Sequence, residues 1–221
     1  MNDARQVQAG TDAIRRLLYG QATLEEWADR GADNPGEPWR SFERARMHYR
    51  TGDPDQAVHV WQEIALAEGL GSRHTLQAWH FMRQAGHLPP AEVAELVLGA
   101  VAEVPMHNSH DLLAAYQDKT AEYINHSGRA AAWGSGPDGP KEAAVSHWLA
   151  VTQTMANSIG PWDETNLPQL PAGHARVAAL TPNGPYFGQG PAALLSADPK
   201  AGSFLGAATR VMQLMVDSAT H

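Results

Sequence analysis

The amino-acid sequence predicts an α+β protein in which helical hairpins are followed by an antiparallel sheet with two helices packed on one face. In the first part, apolar residues recur at helical spacing on both sides of Gly52 and Gly86, which lie 34 residues apart. After Pro90 the spacing changes to the alternation that is typical of strands. We therefore expect a helical-hairpin unit over residues 1–90 and a two-layer α+β domain over residues 91–221.

Two helix starts can be located in the first part. Thr23 and Glu26 have the spacing of a capping box, in which each side chain accepts a hydrogen bond from the other residue's backbone amide. Asp53 before Pro54 is a second start signal, because the aspartate accepts an amide hydrogen bond and proline is tolerated at the first helical position. The apolar residues that follow fall on one helical face: Ala57, Val58, Trp61, Ile64 and Ala65.

The spacing of the glycines indicates a repeat. Gly20 follows an apolar helical run and precedes Gly52 by 32 residues, so that three units of similar length are expected. Pro89 and Pro90 open the second helix of the third unit. Units of this kind cannot bury an apolar face alone and are stabilised by stacking on their neighbours.

The middle unit carries a resemblance to a known family. The stretch from Tyr49 to Val58, with Trp61 behind it, resembles a tetratricopeptide repeat, and the resemblance covers roughly residues 11–98. It implies that Ala57 lets the two helices of a hairpin approach closely and that Trp61 fills the space between them. By resemblance, the function would be the binding of a protein or peptide. The alternative is that the hairpins only pack against the second half of the chain.

The second part predicts the element order ββββαββα. Its first strand is apolar on both faces apart from Glu103, as a central strand would be. The expected strands are 97–106, 112–117, 121–126, 129–133, 174–180 and 185–187, and the expected helices are 141–159 and 203–218. One sheet with both helices on the same face is the usual two-layer solution for this order.

Composition and charge exclude several classes of function. The chain has 16 basic and 24 acidic residues, a net charge of -8, and no cluster of Lys and Arg, which argues against nucleic-acid binding. The absence of cysteine excludes disulfides, a thiolate zinc site and a cysteine nucleophile. We find neither a secretory signal nor an apolar run of membrane-spanning length, and therefore expect a cytoplasmic protein with no membrane partner.

The candidate catalytic residues are His107, His110, Asp111 and His126, which lie near predicted turns at the ends of the strands. Imidazoles and a carboxylate could bind zinc, or could serve a hydrolase. The same residue types also make an ordinary polar turn, and no Gly-x-Ser-x-Gly nucleophile elbow occurs. We therefore assign no metal and no cofactor.

A candidate binding surface is indicated by aromatic residues in stretches rich in Pro and Gly. Such stretches lose little entropy on binding, so an aromatic residue on them is a good interface anchor. The alternative is that these residues fill gaps or pack on the sheet. The candidate binding residues are Trp39, Trp162, Tyr186, Phe187 and Gln189.

These observations favour a non-enzymatic adaptor that binds another protein, or a subunit of a larger complex or homo-oligomer. The richness in Ala, Gly and Pro is typical of a bacterial protein. The alternative function is a small hydrolase or metal-dependent enzyme that uses the four candidate catalytic residues.

We expect the fold to need no metal, because no residue pattern resembles a structural zinc site. A chelator such as EDTA should therefore leave the midpoint of thermal unfolding unchanged. A decrease of several degrees would contradict this expectation and make the histidines candidate ligands.

Overall fold

The computed structural model describes residues 10, 12–107, 109–134, 139–162 and 167–219. Within these ranges it has nine helices and one six-stranded antiparallel sheet, and the helices of the first part precede the sheet. The predicted α+β fold is therefore confirmed. The chain divides between Ala94 and Glu95 into two compact units, each of which is described by itself. No helix in the described ranges has both the length and the apolar character that a membrane span requires.

The first unit is helical. Its helices are α1 (residues 12–18), α2 (Leu24–Gly31), α3 (Trp39–Arg50), α4 (Pro54–Leu66), α5 (Ser72–Gln84) and α6 (Ala91–Ala94). The capping box at the start of α2 is confirmed, since the Thr23 hydroxyl accepts from the Glu26 amide at 3.2 Å and Glu26 accepts from the Thr23 amide at 2.9 Å. Asp53 caps α4 in the expected way.

The core of the first unit is built from aromatic side chains. Helix α4 packs on both α3 and α5. Trp61 is 1% exposed, and its ring lies 5.6 Å from Tyr49 and 5.3 Å from Phe81. The buried Gln77 holds the loop after α1, because its amide group both donates to and accepts from the backbone of Ala22.

The second unit contains the sheet. Its elements are β1 (Gly99–Met106), β2 (Ser109–Tyr116), β3 (Ala121–Ile124), β4 (Ala130–Trp133), α7 (Gly139–Ala156), β5 (His174–Thr181), β6 (Gly184–Pro191), α8 (Ala192–Ala197) and α9 (Pro199–Ala219). The strand order in the sheet is β4-β3-β2-β1-β5-β6, and all neighbours are antiparallel. This is the predicted order ββββαββα with the short helix α8 in addition.

Helices α7 and α9 cover one face of the sheet together. The Trp148 ring of α7 meets the Phe204 ring of α9 edge to face at 5.3 Å, and both side chains are fully buried. The strands contribute mainly small side chains to this core, among them Ala100, Ala102 and Ala179. Small residues on the sheet leave room for the large residues of the two helices.

Most strand boundaries shift by one or two residues from the predicted ones, and two strands extend further. Strand β2 begins at Ser109 and not at residue 112, because its pairing with β1 continues up to the Met106–Ser109 pair. Strand β6 continues to Pro191, paired with β5 throughout. The Gly-rich stretch after Tyr186 is therefore part of a strand.

We expect the substitution Tyr186→Phe to stabilise the protein. Tyr186 is 1% exposed, and its hydroxyl has no hydrogen-bond partner in the part of the chain that the structure describes. Removing an unpaired buried hydroxyl should raise the free energy of unfolding by about 1–3 kcal/mol, measured by denaturant titration.

Tyr123→Phe is the matched control, because the Tyr123 hydroxyl donates a hydrogen bond to Asp111. Because the acceptor is a carboxylate, loss of this hydrogen bond should lower the free energy of unfolding by about 1.5–3 kcal/mol. Equal effects of the two substitutions would contradict the expectation for Tyr186.

Candidate functional sites

Asp111 is the centre of the histidine cluster. Its carboxylate is 7% exposed and accepts three hydrogen bonds. They come from the Tyr123 hydroxyl at 2.5 Å, from the His126 amide at 2.7 Å and from His126 Nδ1 at 3.0 Å. Burial, and then the hydrogen bond to Asp111, raise the pKa of Tyr123 to about 12, so that this hydroxyl remains a donor.

Three of the four candidate catalytic residues come together. The rings of His107 and His126 stack with their centroids 5.0 Å apart, and the carboxylate of Asp111 accepts a hydrogen bond from His126 Nδ1. His110 does not join them, and its Nε2 lies 3.2 Å from the carbonyl oxygen of His174. The reason is that consecutive residues of β2 point to opposite faces of the sheet.

The contacts of this cluster include one feature of a catalytic triad but neither a nucleophile nor a metal site within the described ranges. Asp111 orients His126 as the acid of a catalytic triad orients its histidine. In the described ranges, however, no hydroxyl is hydrogen-bonded to His126, and Ser127 Oγ donates to Asn125 instead. No group of three or more His, Asp or Glu side chains in the same ranges could hold a metal ion.

Three of the four candidate binding residues of the second unit, Trp162, Phe187 and Gln189, lie around a buried ion pair. Arg176 Nη1 donates to Glu103 Oε1 at 2.9 Å, and both side chains are almost fully buried. Arg176 also donates to the carbonyl oxygen of Pro168 and, through Nε and Nη2, to Oε1 of Gln189. Glu103 was the one charge in an otherwise apolar predicted strand, which was the available sequence signal for this pair.

Phe187 and Trp162 lie above this ion pair. The Arg176 guanidinium is 5.1 Å from the Phe187 ring centroid, and the Phe187 ring is 5.0 Å from that of Trp162. The Trp162 amide donates to the Pro185 carbonyl oxygen at 2.9 Å. Tyr186 is absent from this group, because it points to the opposite face of β6 and lies in the core under α7 and α9.

The third site is a groove in the first unit between α2 and α3, with a volume of about 470 Å³. We call it the α2–α3 groove. Its floor consists of Trp27, Trp39, Phe42 and Phe81. The Trp27 ring lies 5.0 Å from Trp39 and 5.4 Å from Phe42, and Trp39 is the half-exposed member of the group.

Trp39 is held in place by α2. A Cβ atom built on Gly31 would lie 2.4 Å from Cε3 of Trp39, so the indole occupies the space that any other residue at position 31 would need. The ring of His74 meets the indole edge to face at 5.2 Å from the other side. The position of this aromatic surface is therefore fixed before any partner binds.

Charged residues line the rims of the α2–α3 groove. The α2 rim carries two acids and the α3 rim carries three arginines and one acid: Glu25, Asp29, Arg40, Glu43, Arg46 and Arg50. Arg46 forms two hydrogen bonds to Glu43, at 2.7 and 2.8 Å, which lower the pKa of that carboxyl. Arg50 lies 3.7 Å from Glu25 on the other rim.

Trp39 is the one residue of the groove that the sequence indicates as a binding residue. The available signal was the spacing of Arg46 and Arg50, four residues apart on the helix that begins at Trp39. Trp27 and Phe81 could not be added from sequence, because their meeting with Trp39 depends on how three helices pack.

The comparisons with protein-family models, with curated proteins and with solved structures find no match. The geometry of the three sites is therefore the evidence that bears on function.

We expect Arg176→Met to be strongly destabilising, because it removes the guanidinium that neutralises the buried carboxylate of Glu103. Breaking a buried pair in this way costs about 3–5 kcal/mol, which denaturant titration would detect. The double variant Glu103→Leu/Arg176→Met should recover most of the loss.

Arg44→Met is the matched control, since Arg44 pairs with Glu63 at 3.1 Å but both side chains are more than half exposed. Exposed pairs contribute about 0–1 kcal/mol. If Arg176→Met cost no more than Arg44→Met, the buried pair would not have the structural role described here.

Proposed function

We propose that this chain is a non-enzymatic adaptor, or a subunit of a bacterial protein assembly, that binds a segment of another protein in the α2–α3 groove. The observation that carries the proposal is the groove itself, a cavity of about 470 Å³ with an aromatic floor and charged rims.

The lining of the groove has the composition of a protein interface. Interface centres are enriched in Trp, Tyr and Arg, whereas their margins are polar and accessible to water. Here Trp39 supplies an apolar surface whose position is already fixed, so that little entropy is lost on binding. Arg40 and Arg50 supply exposed guanidinium groups at the margin.

The resemblance of residues 49–61 to a tetratricopeptide repeat supports the same class of function. We extend the proposal to a cytoplasmic location and to a protein partner, with no nucleic acid and no membrane involved. Trp162, Phe187 and Gln189 remain a second candidate surface, but their contacts with each other and with Arg176 already explain their positions.

The alternative function, a small hydrolase or metal-dependent enzyme, has less support. The Asp111–His126 pair has the geometry of a histidine with its orienting acid. A hydrolase would also need a nucleophile close to His126, and none is in hydrogen-bonding contact with it in the described ranges.

The proposal can be tested by filling the groove. Ala28 is half-buried and lines it, so Ala28→Arg should occupy the space without removing any core side chain. We expect this variant to keep its melting temperature within a few degrees and to lose partner binding at least about tenfold. The assay is capture on the immobilised full chain from a lysate of the native host, quantified by mass spectrometry.

Ala67→Arg is the matched control, because Ala67 is exposed and does not line the groove. Proteins that are captured by the wild type and by Ala67→Arg but not by Ala28→Arg would support the proposal. Equal capture by all three proteins would exclude the groove as the binding site.

A further inference from the structure

We propose that the segment bound in the α2–α3 groove carries an apolar anchor residue flanked by a carboxylate on one side and a cation on the other. The anchor contacts Trp39, the carboxylate faces Arg40 on the α3 rim, and the cation faces Asp29 on the α2 rim. This inference depends on the proposed function and adds the chemistry of the partner.

The charges at one end of the groove already neutralise each other. Glu43 binds Arg46 with two hydrogen bonds, and Glu25 lies 3.7 Å from Arg50 across the rims. A partner that used these four groups would first have to separate two ion pairs. They therefore offer little net attraction to a charged segment.

The charges beside Trp39 are not neutralised in this way. Arg40 is exposed and donates its Nε to the Pro35 carbonyl oxygen at 2.6 Å, and no carboxylate in the described ranges forms an ion pair with it. Asp29 is exposed on the opposite rim. Its charge attracts Arg46, which is held mainly by Glu43, but no cation in the same ranges lies within ion-pair distance of Asp29.

These two groups lie on the two helices that line the groove, Asp29 on α2 and Arg40 on α3. Arg40 follows Trp39 directly in α3, and Asp29 lies in α2 two residues before Gly31, where a Cβ atom would lie 2.4 Å from the Trp39 ring. A bound segment therefore meets one cation and one anion on either side of the same apolar surface. The anchor supplies most of the affinity, whereas the two charges select the orientation, because the reversed order would bring like charges together.

The test uses a library of random peptides displayed on phage and selected on the immobilised full chain. We expect the enriched peptides to share an apolar or aromatic residue with an acid on one side and a base on the other. A synthetic peptide with this sequence should bind Arg40→Glu and Asp29→Lys roughly three- to tenfold more weakly than the wild type in isothermal titration calorimetry.

Two further variants sharpen the experiment. Arg44→Glu is the control for charge reversal, since Arg44 lies on the same helix but outside the groove. This variant should bind the peptide with the affinity of the wild type. The double variant Arg40→Glu/Asp29→Lys should prefer a peptide in which the acid and the base are exchanged. Circular dichroism of each variant confirms that it is folded, and Arg40→Gln replaces Arg40→Glu if that variant is not.

The outcomes separate this inference from the proposed function. Peptides that fail to bind Ala28→Arg but show no charge pattern, or that bind Arg40→Glu as well as wild type, overturn the inference and leave the groove as the binding site. Peptides that bind Ala28→Arg as tightly as wild type overturn both. A selection without enriched peptides also overturns the inference.

Discussion

The second unit depends on the two-sided pairing of strand β1. It pairs with β2 along its whole length and with β5 over Gly99 to Glu103, so its alternate side chains must serve two different environments. Ala100 and Ala102 face α7 and α9, where small side chains leave room for Trp148 and Phe204. Glu103 faces the other way, and its burial requires a cation, which β5 supplies as Arg176.

The hydrogen-bond donors of Arg176 then determine which groups surround it. A buried guanidinium must satisfy its remaining N–H groups, and it does so with Pro168 and Gln189. Phe187 covers it, and Trp162 packs on Phe187. One buried charge in a central strand thus accounts for the positions of three candidate binding residues, Trp162, Phe187 and Gln189.

The sequence predicts those features that depend on near neighbours in the chain. The capping box at Thr23 and Glu26 and the order ββββαββα follow from local spacing, and the structure has both. Features that depend on a single residue of strand register were not predictable. The start of β2 at Ser109 places His110 and Asp111 within a strand, where consecutive side chains point to opposite faces. The separation of Tyr186 from Phe187 follows from the expected strand 185–187 in the same way. The α2–α3 groove was not predictable either, because α2, α3 and α5 bring its aromatic residues together only after folding.

The three sites differ in how completely their polar groups are satisfied within the chain. A site whose polar groups are all satisfied contributes to stability, whereas a site with unsatisfied groups can also bind a partner. The carboxylate of Asp111 is fully used by Tyr123 and His126, and Arg176 is used by Glu103 and its other acceptors. Networks that are satisfied internally make the fold more rigid and specify its core, but they offer little to a ligand. The α2–α3 groove is different, because its aromatic floor is partly accessible and two charges beside Trp39 have no ion-pair partner in the described ranges. A partner can bury the exposed part of the Trp39 ring and form ion pairs with Arg40 and Asp29 without breaking contacts between charged side chains of the chain. Of the three sites, the groove is therefore the one at which we expect the largest binding free energy.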